Sequence, residues 1–91
     1  MTSAKKIALV TGGTRGIGLA VSLAFAGLGF DVFAAYSADE ESAEKAREQG
    51  INAVRADVSD EGAVKALFAR TGTPDVLVNN AGVALFRQIQ D

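Results

Sequence analysis

Residues 11–18 read Thr-Gly-Gly-Thr-Arg-Gly-Ile-Gly and follow directly on the apolar run Ile7-Ala8-Leu9-Val10. The chemistry such a stretch can do is binding rather than bond cleavage. Gly12 has access to backbone angles closed to other residues, which permits a tight turn out of a strand. Gly16 and Gly18 carry no Cβ, so a ligand or a neighbouring backbone can come close. The amides that open the next helix lack intrahelical acceptors and carry partial positive charge. An anion, most often a phosphate, is stabilised there. The same pattern also serves as a tight turn with no ligand at all.

Composition narrows the chemistry further. The chain has 91 residues, no cysteine and no histidine. A His-dependent catalytic triad, a Cys-based metal site and disulfides are therefore excluded, which fits a reducing, cytoplasmic location. The net charge of -2 argues against a nucleic-acid partner, which calls for a basic excess. No basic amphipathic stretch points to a membrane surface. The polar start Met1 to Lys6 is followed by an apolar run that Gly12 to Arg15 interrupts, too short for a signal peptide or a membrane span. At 48% hydrophobic the chain reads as one small globular domain.

The elements that must position the glycines are short and regularly placed. Ile7 to Val10 is continuously apolar, as a strand buried on both faces should be. Ala20, Val21, Leu23, Ala24, Phe25 and Leu28 follow a helical pattern that stops near Gly27 and Gly29. Val32 to Tyr36 reads as a second strand. Ser37-Ala38-Asp39-Glu40 has the form of a capping box for a charged helix ending at Gly50. Ala53 to Ala56 is a third strand, and Ser59 a cap for a helix through Ala63, Val64, Leu67 and Phe68. Gly72-Thr73-Pro74 breaks that helix, and Val76-Leu77-Val78 forms a fourth strand. Phe25, Phe30, Phe33 and Phe68 are expected in or near the core. Strands joined by helical crossovers run parallel and right-handed. The expected fold is therefore α/β, a doubly wound, Rossmann-like sheet of four parallel strands, with ligands outside the carboxyl ends of the strands. The Gly- and Asn-rich stretches all fall at those ends.

The spacing G-x-x-x-G-x-G differs from the more widespread G-x-G-x-x-G fingerprint. Thr11-Gly12-Gly13-Thr14-Arg15-Gly16-Ile17-Gly18 resembles the T-G-x-x-x-G-I-G motif of the short-chain dehydrogenase/reductase family. Asp57-Val58 matches that family's adenine-contacting acidic position, and Asn79-Asn80-Ala81-Gly82 matches its N-N-A-G motif. Within the family the chain is most similar to the 3-oxoacyl-carrier-protein and acetoacetyl-CoA reductases. The resemblance implies a dinucleotide held by Gly12, Thr14, Arg15, Gly16, Ile17 and Gly18, with Tyr36, Ser37, Asp57, Val58, Asn80, Ala81 and Gly82 completing the site. Taken by themselves, Asp57 also reads as a solvated strand end. Asn79 and Asn80 also read as residues that stitch a turn through nearby backbone.

An NAD site usually has an acid at the end of the second strand, bonded to the ribose. Tyr36 and Ser37 stand there instead. Arg15 can supply a guanidinium to the 2′-phosphate of NADP, and Ser37 a further hydrogen bond. Asp39, Glu40 and Glu41 lie nearby and oppose a 2′-phosphate unless they face solvent. NADP(H) is expected over NAD(H).

The family's chemistry also needs a Tyr-x-x-x-Lys pair and a Ser. The only tyrosine is Tyr36, and Glu40 stands four residues after it. No catalytic residue carries over. The leading expectation is the N-terminal, cofactor-binding part of an NADP-dependent reductase of a ketone, a 3-oxoacyl thioester among the candidates, inactive alone and truncated after its fourth strand. That truncation exposes a strand edge and favours a homo-oligomer. Two alternatives stay open: a non-catalytic nucleotide-binding or sensor module, and a self-associating structural piece.

Overall fold

A computed structural model describes residues 5–80. Four strands, β1 (Ile7–Thr11), β2 (Asp31–Tyr36), β3 (Asn52–Arg55) and β4 (Val76–Asn79), alternate with three helices, α1 (Gly16–Gly27), α2 (Glu40–Glu48) and α3 (Glu61–Thr71). The strands form one parallel sheet in the order β3-β2-β1-β4. The expected α/β architecture is the observed one.

The sheet buries both faces, which is why its strands are apolar without alternation. On one face Ala8, Val10, Val32 and Ala34 pack with Ala46 and Ile51 and with Leu19 and Phe25 of α1. On the other, Leu9, Ala35 and Val54 pack with Leu67 of α3, beside Phe33, Phe68 and Leu77. Successive residues of β1 thus serve opposite layers, the period of two that a strand imposes. β4 flanks the sheet, and its Val76, Leu77 and Val78 are only half-buried.

Two helices end in the same way. At the end of α1 the Phe30 amide donates to the Phe25 carbonyl and the Gly29 amide to the Ala26 carbonyl. The Phe25 and Phe30 rings then meet edge to face, 5.0 Å between centroids. At the end of α2, Ile51 donates to Ala46 and Gly50 to Arg47. These are Schellman endings, each with a glycine just past the helix.

The helix starts differ from expectation. Ser37 does not cap α2. Asp39 does, its carboxylate accepting from the Ser42 amide at 3.0 Å. The capping box fails because Glu40 is occupied: its carboxylate accepts from the Tyr36 hydroxyl at 2.9 Å and from Arg55 at 3.5 Å. Ser59 does not cap α3 either. Its amide and hydroxyl both donate to Asp57 Oδ1, and Asp60 caps the helix through the Gly62 amide at 3.1 Å.

Candidate functional site

The strand order turns back between β1 and β4, since β1 connects onward to β2 on one side and β4 joins on the other. Such a switch point opens a crevice at the carboxyl ends of the two strands. Thr11 lies opposite Asn79 in the β1–β4 register. The Thr11 hydroxyl sits 3.2 Å from Asn79 Oδ1 and 3.4 Å from the Val78 carbonyl oxygen. One residue on, the Asn80 side-chain amide donates to the Gly12 carbonyl at 3.3 Å. The glycine loop and the Asn pair, 68 residues apart, are therefore stitched into one rim. Ala81 and Gly82 lie outside the described residues.

The glycines divide the work. Gly12 turns the chain at φ 65°, while its amide stays in the sheet edge by donating to the Ala35 carbonyl. Gly16 has φ 59°, and a Cβ there would meet only open space. A Cβ on Gly18 would collide with the Gly12 carbonyl. Gly18 thus lets α1 dock on the loop, and Gly16 leaves the outer face clear for an approaching group. Behind the loop, the buried Ser22 hydroxyl donates to the Gly13 carbonyl at 3.0 Å.

The start of α1 is built unlike the other two. Arg15 precedes it in extended conformation, makes no side-chain cap and is followed by no acid in the first turn. α2 and α3 carry both a capping Asp and a first-turn Glu. Ile17, in that uncapped turn, is 77% exposed. The arrangement leaves amides and positive dipole facing outward over the glycine loop.

Two clefts flank this turn. One, of about 330 Å³, is lined by Gly12, Thr14, Arg15, Tyr36, Ser37, Ala38 and Asp39. The other, of about 160 Å³, lies between Gly12, Ala35, Tyr36, Ser37, Ala56, Asp57, Val58 and Ser59. The site residues expected from sequence and lying among the described residues thus gather around one region, at the carboxyl ends of β1, β2, β3 and β4. Tyr36 lines both clefts. Its ring is buried with Ala43 and Ala53, and its hydroxyl is held by Glu40 and by Arg47 at 3.2 Å. Ser37 is exposed, and its carbonyl accepts from Arg55 Nε at 3.0 Å.

The carboxylates of the site are held ionised. Asp57 is pushed below the ordinary carboxylate value by the Ser59 hydroxyl and then the Ser59 amide. Asp39 is lowered by the Ser42 amide, then by the Ser42 hydroxyl, with Arg15 adding to the effect. Arg15 and Asp39 form an ion pair of 3.0 Å across the larger cleft. Arg47 is raised, first by its bond to Tyr36 and then by Glu44.

Sequence reading missed Ser22, Arg55 and the capping role of Asp39. The signal for Ser22 was its place as the one polar residue in an otherwise apolar helix. The partners of Arg55, Ser37 and Glu40, lie 18 and 15 residues away, whereas the capping partner of Asp39 is the local Ser42, three residues on. Among the described residues no cluster of His, Cys, Asp or Glu could hold a metal ion, and no helix is long and apolar enough to cross a membrane.

Comparison with known proteins agrees with this geometry. The family model for short chain dehydrogenase matches residues 6–91. The acetoacetyl-CoA reductase of Shinella zoogloeoides is 44% identical over 84 residues, covering 86% of this chain and 34% of that enzyme. The 3-oxoacyl-[acyl-carrier-protein] reductase of Staphylococcus aureus strain Mu50 is 41% identical over 88 residues, covering 86% of this chain and 36% of that one. Among solved structures, BdcA in complex with NADPH superposes with a TM-score of 0.78 at 37% identity, covering 86% of this chain and 32% of that one. The chain spans about a third of the length of these relatives. With a glycine loop, an uncapped first helix and an Asn-stitched rim at the switch point, and a family match over nearly its whole length, the chain belongs to the short-chain dehydrogenases.

Proposed function

We propose that the chain supplies the cofactor-binding part of an NADP-dependent ketoreductase, with 3-oxoacyl thioesters as the substrate class. The observation that carries the reading is the uncapped start of α1 above an open-faced Gly16, beside a cleft that holds a guanidinium. These residues fit a dinucleotide. The amides of Gly16, Ile17 and Gly18 would hold its pyrophosphate, as helix starts do. Arg15, Thr14 and Ser37 line the cleft for the adenosine ribose and its 2′-phosphate. Asp57 and Val58 bound the smaller cleft for adenine, the Asp57 carboxylate accepting from the exocyclic amino group. Asn80, just past the end of β4 and bonded to the Gly12 carbonyl, would border the ribose on the nicotinamide side, a role the family resemblance extends to Ala81 and Gly82.

The bound cofactor supplies a hydride to a carbonyl carbon. This chain's residues hold and orient it. Proton donation is not assigned to them: the Tyr36 hydroxyl is committed to Glu40 and Arg47, and no Lys stands four residues after it. The relatives named acetoacetyl-CoA and 3-oxoacyl-[acyl-carrier-protein] reductase support the substrate class, and the NADPH complex supports the cofactor. A homo-oligomer belongs to the same proposal.

The test is calorimetric titration with NADPH and NADH, alongside Arg15→Gln. Tighter binding of NADPH, lost in Arg15→Gln, supports the reading. Binding of NADH alone, or of neither, overturns it. The 91 residues by themselves are expected to bind NADPH without oxidising it in the presence of a 3-oxoacyl thioester.

A further inference from the structure

The larger cleft contains one cation and one anion. Among its lining residues, Arg15 is the only basic side chain and Asp39 the only acidic one, and the two are bonded to each other at 3.0 Å. The two other cations bonded to lining residues are engaged elsewhere: Arg55 Nε donates to the Ser37 carbonyl and its NH1 faces Glu40, and Arg47 bonds the Tyr36 hydroxyl, Glu44 and the Ala53 carbonyl. A 2′-phosphate entering this cleft finds its guanidinium already taken.

Asp39 cannot swing aside at no cost. Its Oδ1 accepts from the Ser42 amide at 3.0 Å and its Oδ2 from the Ser42 hydroxyl at 2.8 Å, so the carboxylate is the cap of α2. The Arg15 side chain is 74% exposed and Asp39 only 33%. The guanidinium is the more exposed member of the pair, and the carboxylate is the anchored one. We infer that Asp39 is a specificity-determining residue that competes with the 2′-phosphate for Arg15 and holds the preference for NADP over NAD below what Arg15 alone would confer. The inference rests on the reading of the cleft as a nicotinamide-dinucleotide site.

The competition acts in both directions. A phosphate must share Arg15 with an anchored anion, and like charges at short range repel. A ribose without the phosphate presents hydroxyl groups that can donate to the same carboxylate, a charge-assisted bond. Removing the charge from Asp39 while keeping an acceptor for the Ser42 amide therefore favours NADP and weakens the charge-assisted bond available to NAD.

Asp39→Asn does this, because Asn caps helices about as well as Asp. Asp39→Ser, a second uncharged cap, guards against an effect particular to the amide. Dissociation constants for NADPH, NADH, 2′,5′-ADP and 5′-ADP would be measured on the full chain at low and high salt, with helix content compared by circular dichroism. Both variants are expected to shift the NADPH:NADH affinity ratio toward NADPH by about two- to fivefold, the scale of an exposed ion pair. The 2′,5′-ADP to 5′-ADP ratio should move equally, and the shift should shrink at high salt. An unchanged ratio, or a shift toward NADH, overturns the inference while leaving the site reading intact if Arg15→Gln still weakens NADPH. If neither dinucleotide binds the unaltered chain, the site reading and the inference fall together.

Discussion

The Ser22 hydroxyl donates to the Gly13 carbonyl oxygen at 3.0 Å, a buried bond joining the second turn of α1 to the loop it follows. Both residues are buried, and the space is tight: a Cβ on Gly13 would lie 2.7 Å from Ser22 Oγ. The bond satisfies a main-chain acceptor that the tight turn withdraws from the sheet. Ser22→Ala leaves that carbonyl without its partner, a loss of about 1–3 kcal/mol. Urea denaturation should show a lowered midpoint with an unchanged slope. A midpoint equal to that of the unaltered chain would show that the carbonyl finds another donor.

Gly16 and Gly18 are expected to fail differently when changed to Ala. At Gly16 the added methyl meets open space, so stability falls only by the left-handed backbone's cost, about 1–2 kcal/mol. Dinucleotide binding suffers more, because the methyl stands where the ligand approaches. At Gly18 the methyl meets main chain, the Gly12 carbonyl, with the Asn80 side-chain amide 2.9 Å away on the same side. No rotamer relieves this, and overpacking of that kind costs about 1–3 kcal/mol. Denaturation midpoints and NADPH titrations on the two variants check the contrast. Equal unfolding midpoints with equal loss of binding would contradict it.

Acid should weaken the fold through the two carboxylates with lowered pKa. For Asp39 and Asp57 the folded value lies below the ordinary value of 3.8, so the folded chain holds fewer protons than the unfolded chain in that range. Their contribution is complete above the unfolded value and is lost as pH falls through the folded one. Stability measured from pH 6 downward should stay level and then drop below about pH 4. An Asp39→Asn, Asp57→Asn double variant, which retains an acceptor for the Ser42 and Ser59 amides, should show a shallower drop. A parallel curve would place the acid sensitivity elsewhere.

What could be read from the residue order, and what could not, follows the range of the interactions. β1 announces itself because Ile7 to Val10 is apolar throughout, and it is apolar because both sheet faces are covered. The helix ends were legible as Gly29 and Gly50, whose positive φ the Schellman endings require. The helix starts were not. Ser37 and Asp39 are equally good caps by type, and the bonds that Glu40 accepts from Tyr36, four residues before it, and Arg55, 15 residues after it, take away the reciprocal half of a Ser37 capping box. Ser59 and Asp60 posed the same choice, resolved by Asp57 taking both donors of Ser59. In the site, Gly12, Gly16 and Gly18 were visible by spacing, but the Arg15–Asp39 pair spans 24 residues and has no local signature. Tyr36 occupies the strand end where a ribose partner would stand, yet its hydroxyl turns under α2, toward residues that follow it by 4 and 11 positions.

The rim that joins Gly12 to Asn80 has a consequence in time as well as in space. β1, β2 and β3 pair with partners supplied by successive crossovers, whereas β4 must return to β1 across 68 residues, pinned by the Ile7 amide on Asp75 Oδ2 and the Asp75 amide on the Ile7 carbonyl. Closing so long a span is the slow kind of step in folding. During synthesis the glycine loop leaves the ribosome early and waits, half-walled, until β4 is made. A nucleotide that needs both halves of the crevice can therefore grip only a chain whose sheet has closed. Its arrival would lock this long-range strand pairing in place and shield the β1–β4 seam from reopening.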